Sequence, residues 1–308
     1  MTKTGIRFAI LLICVAIVAC TGNKQSQPQD SPSEGSLTIY CDEYVMPLMT
    51  KEVEAYDSIY PNVHLTLVPT TARDAVVQLL SGKTKLSILG RAFTDEERKL
   101  IEKYHLPVGE YEVAKDAMAV IVNRANPLDT IRLSTLKMIL LPKDTLKAAS
   151  ISWRSFGGKY DKLVSTVVPA PASSVYGYII DQITNEQLKS ANIVCDSAEK
   201  VVSAVREYPG AIGFTDWDCV ASDTTVKVLR IAGVDSSGAQ EKFVMLHPAY
   251  IYLKKYPLLH SVWGYTTEGR PALAKGFMAF VCNADGQRLA LEQKLVPVTQ
   301  IIRLKEPD

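Results

Sequence analysis

The chain has 308 residues, 47% of them hydrophobic and 22% charged, with 34 Lys and Arg against 33 Asp and Glu. That balance excludes a nucleic-acid binder driven by bulk positive charge, and the composition excludes collagen-like, coiled-coil and mostly disordered chains. The length suits one large domain or two lobes of ~100–150 residues each.

The first elements concern targeting. Lys3 and Arg7 precede an unbroken apolar run from Phe8 to Ala19, the pattern of a secretory signal over residues 1–19 and too short for a span, which needs ~20 apolar residues. The ending Ile17-Val18-Ala19-Cys20 resembles a bacterial lipobox, with Cys20 lipidated, and the alternative is a plain signal peptide cut near Ala19. Thr21 to Gly35 contains no aliphatic or aromatic residue, so residues 20–36 read as the lipidated Cys and a flexible linker. The expected location is the cell envelope, periplasmic or extracytoplasmic, with a lipid holding the chain at a membrane.

From Ser36 onward, β-rich runs alternate with helix-period segments, the signature of an α/β fold with a mostly parallel sheet. Leu37–Cys41 reads as a strand, followed by a helix carrying Leu48, Met49, Val53 and Tyr56 on one face. His64–Val68 is a second strand; Ala75, Val76, Leu79 and Leu80 give a helical stripe closed by Gly82; Leu86–Leu89 is a short buried strand. Thr94 and Glu97 form a capping box for a helix carrying Leu100 and Ile101, and Met118–Val122 is an apolar strand stopped by Asn126-Pro127. Beyond it come helical Leu133–Leu140, a strand at Leu163–Val168, helical Tyr176–Ile183 and Ala198–Glu207, strands at Ala211–Phe214 and Val226–Ile231, a helix opened by Pro271, and a helix from Asp285 to Lys294.

Catalytic and metal patterns fail on inspection. The histidines, His64, His105, His247 and His260, form no HExxH or i, i+4 pair. Ser134–Lys137 and Ser197–Lys200 satisfy SxxK without the accompanying SDN or KTG. Gly82-Lys83-Thr84 mimics the end of a phosphate loop, but Val77 stands where that loop needs Gly. Once Cys14 leaves with the signal and Cys20 carries lipid, Cys41, Cys195, Cys219 and Cys282 remain. They show no zinc spacing and allow up to two disulfides or free thiols. No enzyme, cofactor or metal is indicated.

AKDAMAVIVNRANPLDTIRLSTLKMIL (114–140), Ile151-Ser152-Trp153, Ser173 with Tyr176 and Tyr178, GAIGF (210–214) and the block from 256 to 298 together resemble the phosphate-binding proteins of bacterial ABC transporters. The resemblance covers most of residues 37 to 300. It implies a two-lobed, type II periplasmic-binding-protein-like fold, each lobe a mixed sheet flanked by helices, the lobes joined by crossover strands and the ligand enclosed between them. Lobe one is expected over 37–117 plus 249–308 and lobe two over 118–248. The implied function is uptake of phosphate or a related oxyanion with an ABC permease as partner, the chain being a monomer that binds no nucleic acid. The alternative is a non-transport envelope lipoprotein with a degraded oxyanion site, acting as sensor or interaction protein.

The family's ligand motifs map only in part. Its first loop offers Gly and hydroxyl residues before an apolar residue, any residue and Pro; here Cys41-Asp42-Glu43-Tyr44-Val45-Met46-Pro47 keeps Val45 and Pro47 but puts carboxylates where hydroxyls would be. The family's second motif begins with an Asp that accepts a proton from phosphate, and Ser87 lies on the corresponding strand. The third, an Arg followed four residues later by Ser-Gly-Thr, falls on Pro169 and Ser173-Ser174-Val175. Asp42 and Glu43 either face inward and oppose an anion or point to solvent. Arg91 either supplies a replacement cation or forms an ion pair. Ser173 and Ser174 either bind an anion or cap a helix. Tyr44, Tyr176 and Trp217 either line a cleft or belong to the core.

Overall fold

The computed structural model describes residues 31–143, 151–156, 159–189, 192–233 and 242–299; Cys20, the signal and residues 20–30 of the expected linker lie outside them, whereas Gly35 and Ser36, expected at the end of that flexible linker, pair with Val63 and His64 as the start of the first strand. Strand β1 (Gly35–Asp42) runs into a tight turn, Glu43–Val45, and helix α1 (Met46–Ile59), which buries Leu48, Met49, Glu52 and Tyr56. Then follow β2 (Val63–Thr70), α2 (Ala72–Leu80), β3 (Leu86–Leu89) and α3 (Asp95–Lys103). Thr71 caps α2 by accepting the Asp74 N–H, and Gly82 just past its end takes φ +76°, a conformation that glycine adopts without steric cost. The capping box of Thr94 and Glu97 forms as the spacing predicts.

The long strand β4 (Gly109–Asn123) comes next, then β5 (Thr130–Arg132), α4 (Leu133–Leu140), β6 (Ser165–Pro169) and α5 (Ser174–Ile179), which passes into a π turn at Ile180–Thr184. The predicted helix over Tyr176–Ile183 is therefore a composite. The chain continues through β7 (Ile193–Cys195), α6 (Ala198–Glu207), β8 (Ala211–Asp216), the short α7 (Trp217–Val220), β9 (Val226–Val228) and β10 (Arg230–Ala232). The predicted strand Val226–Ile231 is split in two, because β9 pairs with β4 while β10 pairs with β5. Last come α8 (Pro248–Tyr252), β11 (Leu259–Thr266), α9 (Leu273–Val281), α10 (Ala284–Glu292) and β12 (Val296–Pro297). Pro271 precedes α9 rather than opening it; the Glu268 carboxylate accepts from the first free amides, of Ala272, Ala274 and Lys275.

The strands order as β2-β1-β3-β11-β4-β8-β6-β7, with β12 and β9 also on β4. The sheet is mixed rather than mostly parallel: β1 is parallel to β2 and β3, and β6 to β7 and β8, while β4 is antiparallel to β11 and β8. β4 pairs with β11 from Gly109 to Ala117 and with β8 from Met118 to Val122, so this one strand runs from one lobe's sheet into the other's. Two apolar cores flank that passage. One gathers Ile39, Leu48, Met49, Tyr56, Phe277 and Met278; the other gathers Val120, Ile121, Trp153, Val167, Val205 and Phe214. The fold is thus a two-lobed α/β structure built on a mixed sheet. Cys41, Cys195, Cys219 and Cys282 are free thiols, so no disulfide joins them. No helix among the described residues is long and apolar enough to cross a membrane.

Candidate functional site

Each lobe sends the ends of its strands and a helix start to one cleft, about 340 Å³ in volume. From one side come Asp42, Glu43, Tyr44, Thr70 and Thr71; from the other, Pro169, Ser173, Ser174, Val175, Asp196, Glu199, Thr215, Asp216 and Asp218. The lining contains six carboxylates and no Lys, Arg or His among the described residues. Each ionised carboxylate repels a unit of entering negative charge by ~1 kcal/mol at 4 Å in water and by several times that where water is excluded.

Asp42 faces inward and is buried, while Glu43 is exposed at the mouth. The Asp42 carboxylate collects donors from both lobes: the Tyr44 N–H at 3.4 Å on Oδ1, the Gly90 N–H at 3.1 Å on Oδ2, and the Ser174 hydroxyl, which donates to Oδ2. Two backbone amides and a hydroxyl converging on one carboxylate make an oxyanion seat, occupied by a side chain of the chain itself. A glycine is required at position 90 because a Cβ there would lie 2.8 Å from the Tyr44 ring and 3.0 Å from Asp42 Oδ2. Burial raises the pKa of Asp42, and these hydrogen bonds oppose the rise. Ser173 caps α5 through the Tyr176 N–H, so of the two serines it is Ser174 that reaches across the cleft. Val175 is buried in the core of its lobe, which Tyr176 and Trp217 pack against.

Two expected site residues stand elsewhere. The Ser87 hydroxyl is fully buried within β3 and donates to the Ala75 carbonyl at 2.9 Å, with no face on the cleft. Arg91 forms a bidentate pair with Glu97, both bonds 2.8 Å, and also donates to the Ala92 carbonyl. Its charge is thereby spent on stabilising the start of α3 rather than on the cleft.

Behind Asp42 lies a group that spacing does not reveal. Asp116 on β4, Asp216 at the end of β8 and His260 on β11 are buried, and their ligating atoms lie within 4.8 Å of one another. The Tyr44 hydroxyl donates to Asp116 Oδ2, and the Ala117 N–H donates to Oδ1 at 2.7 Å. The Tyr178 ring stacks on His260 at 4.0 Å and 14°. Burial pushes Asp116 up to about 7, with His260 opposing, and Asp216 well above the carboxylate range; burial lowers His260. The residues involved sit in AKDAM, FTDWD and LLHSV, separated by up to 144 positions, and only strand pairing joins them.

A family model described as the PBP superfamily domain matches residues 26–285. Protein SphX of Synechococcus elongatus is 24% identical over 305 residues, covering 96% of this chain and 87% of SphX. A phosphate-binding protein PstS of Staphylococcus epidermidis is 20% identical, covering 90% of this chain and 84% of its own. Among solved structures, an ABC-type phosphate transport receptor from Vibrio cholerae superposes with a TM-score of 0.69 at 19% identity, over 85% of this chain and 100% of that one.

Proposed function

Because the chain belongs to the PBP superfamily, we propose that it is an extracytoplasmic solute-binding lipoprotein of an ABC transporter, capturing phosphate or a related oxyanion between its lobes for a permease. The lobes are 37–117 plus 249–308 and 118–248, and they close about the crossover strands. Cys20 carries the lipid anchor. The observation that carries this reading is the seat around Asp42, whose donors come from both lobes and suit an oxyanion. The relatives named phosphate-binding support the same ligand class.

In this chain the oxyanion enters by exchange with Asp42. Turning that side chain aside leaves the Tyr44, Gly90 and Ser174 donors for the ligand. Ser87 and Arg91 take no part.

A second reading, a non-transport envelope lipoprotein acting as sensor or interaction protein, is favoured by the bond from Ser174 to Asp42, which ties the two lobes through the chain's own groups. A thermal-shift screen of phosphate, sulfate and small carboxylates distinguishes the two, since a ligand that binds only the folded state stabilises it by about 2.7 kcal/mol at a hundred times its Kd. The transport reading expects a shift below millimolar ligand in the natural chain, larger in Asp42→Ser. No shift in either protein at millimolar ligand overturns it.

A further inference from the structure

Carboxylates removed from water are normally paired with a cation or bound to a metal. Asp116 and Asp216 are fully or almost fully buried, and no Lys or Arg side chain among the described residues is paired with either. The pleated register explains how they meet: His260 stands directly opposite Asp116 across β11 and β4, while Asp216 stands opposite Met118 across β8 and β4.

His260 supplies an independent observation. Its side chain is only 2% exposed, yet neither Nδ1 nor Nε2 has a hydrogen-bond partner, and Asp216 Oδ1 has none either. Nε2 lies 3.6 Å from Asp216 Oδ1, too long for a hydrogen bond. It is close to the ~3.4 Å that separates two ligands of one tetrahedral ion bound at about 2.0–2.1 Å. An imidazole and two carboxylates form a donor set that suits zinc-class ions. The set is also held in place: Tyr44 and the Ala117 amide orient the Asp116 carboxylate, and Tyr178 stacks on the imidazole.

We propose that Asp116, Asp216 and His260 bind one divalent transition-metal cation of the zinc class, set beneath the cleft where β4, β8 and β11 meet. The ion bridges strands of both lobes and takes up Nε2 of His260 and Oδ1 of Asp216, two of the atoms that lack a partner. The site shares Asp216 with the lining of the cleft, but none of its ligands belongs to the seat around Asp42.

The test uses the full chain, purified in detergent, stripped with a chelator and titrated with zinc chloride alone. One site per chain at micromolar or tighter affinity is expected, unchanged in Glu54→Gln, which removes an exposed carboxylate that does not line the cleft. Asp216→Asn and His260→Gln should each weaken it by at least about a hundredfold. Should those variants fail to fold, the absorption spectrum of the natural chain with Co²⁺ decides: a tetrahedral spectrum without thiolate bands supports the site, and an octahedral or absent one refutes it. Lack of saturable zinc binding up to millimolar concentration, or affinity retained within threefold in a folded His260→Gln variant, overturns the proposal.

Discussion

Glu52 lies on the buried face of α1 in the lobe-one core, fully shielded from solvent, and neither carboxyl oxygen has a hydrogen-bond partner. Desolvation alone pushes its pKa from an ordinary 4.5 up to about 8. The folded state therefore holds a proton that the unfolded chain releases above pH 4.5, and stability falls as pH rises from about 5 to about 8. At 1.36 kcal/mol per pH unit, the loss approaches roughly 4–5 kcal/mol above pH 8, which relaxation and water entry reduce to about half. Glu52→Gln keeps the shape and cannot ionise, so any constant cost of its unpartnered amide is the same at every pH. Urea unfolding of both proteins at intervals from pH 5 to 8.5 should show the natural chain losing at least ~2 kcal/mol relative to Glu52→Gln across that range. Curves that stay parallel within ~0.5 kcal/mol would refute the reasoning.

Arg91→Ala should lower stability by ~1–3 kcal/mol by stranding Glu97, whose side chain is 14% exposed, while leaving oxyanion affinity unchanged; a tenfold loss in calorimetry would return Arg91 to the site. Gly90→Ala forces a Cβ into Tyr44 and Asp42, so it should destabilise the protein by ~1–3 kcal/mol in thermal unfolding and abolish the benefit of any change at Asp42. Cys20→Ala should release the protein from membranes on fractionation, since the lipid is the proposed anchor; retention that only detergent reverses would contradict the lipoprotein reading.

The lobes' alternating elements were legible because periodicity and caps are local signals: Thr94 with Glu97, and Gly82 after α2, sit where the spacing puts them. The first half of β4 was not, because its Glu110, Glu112, Lys115 and Asp116 interrupt the apolar run that marks Met118–Val122. Mixed pairing was equally hidden, as strand direction depends on which edges meet in space. Asp42, Glu43, Tyr44 and the Ser173-Ser174 turn, which the family's motifs single out in the sequence, line the cleft, but whether Asp42 and Glu43 face inward depends on folding and is not legible along the chain. Ser87 was placed wrongly because in a short strand buried on both faces, nothing in the sequence distinguishes a residue facing the cleft from one facing α2. The grouping of Asp116, Asp216 and His260 arises from register across three strands, which no spacing rule along the chain encodes.

If Asp42 takes the seat that an oxyanion occupies, calorimetry of phosphate against the natural chain and Asp42→Ser at pH 7 separates the two proteins. Replacing the carboxylate removes a repelling charge and frees the Tyr44 and Gly90 amides and the Ser174 hydroxyl, charge-assisted bonds worth ~1.5–3 kcal/mol each to an anion. Binding weaker than micromolar is expected in the natural chain, with a gain of at least about tenfold in Asp42→Ser, one such bond being enough at 1.4 kcal/mol per decade. Micromolar or tighter binding by the natural chain, or equal affinities in the two proteins, would contradict that role of Asp42.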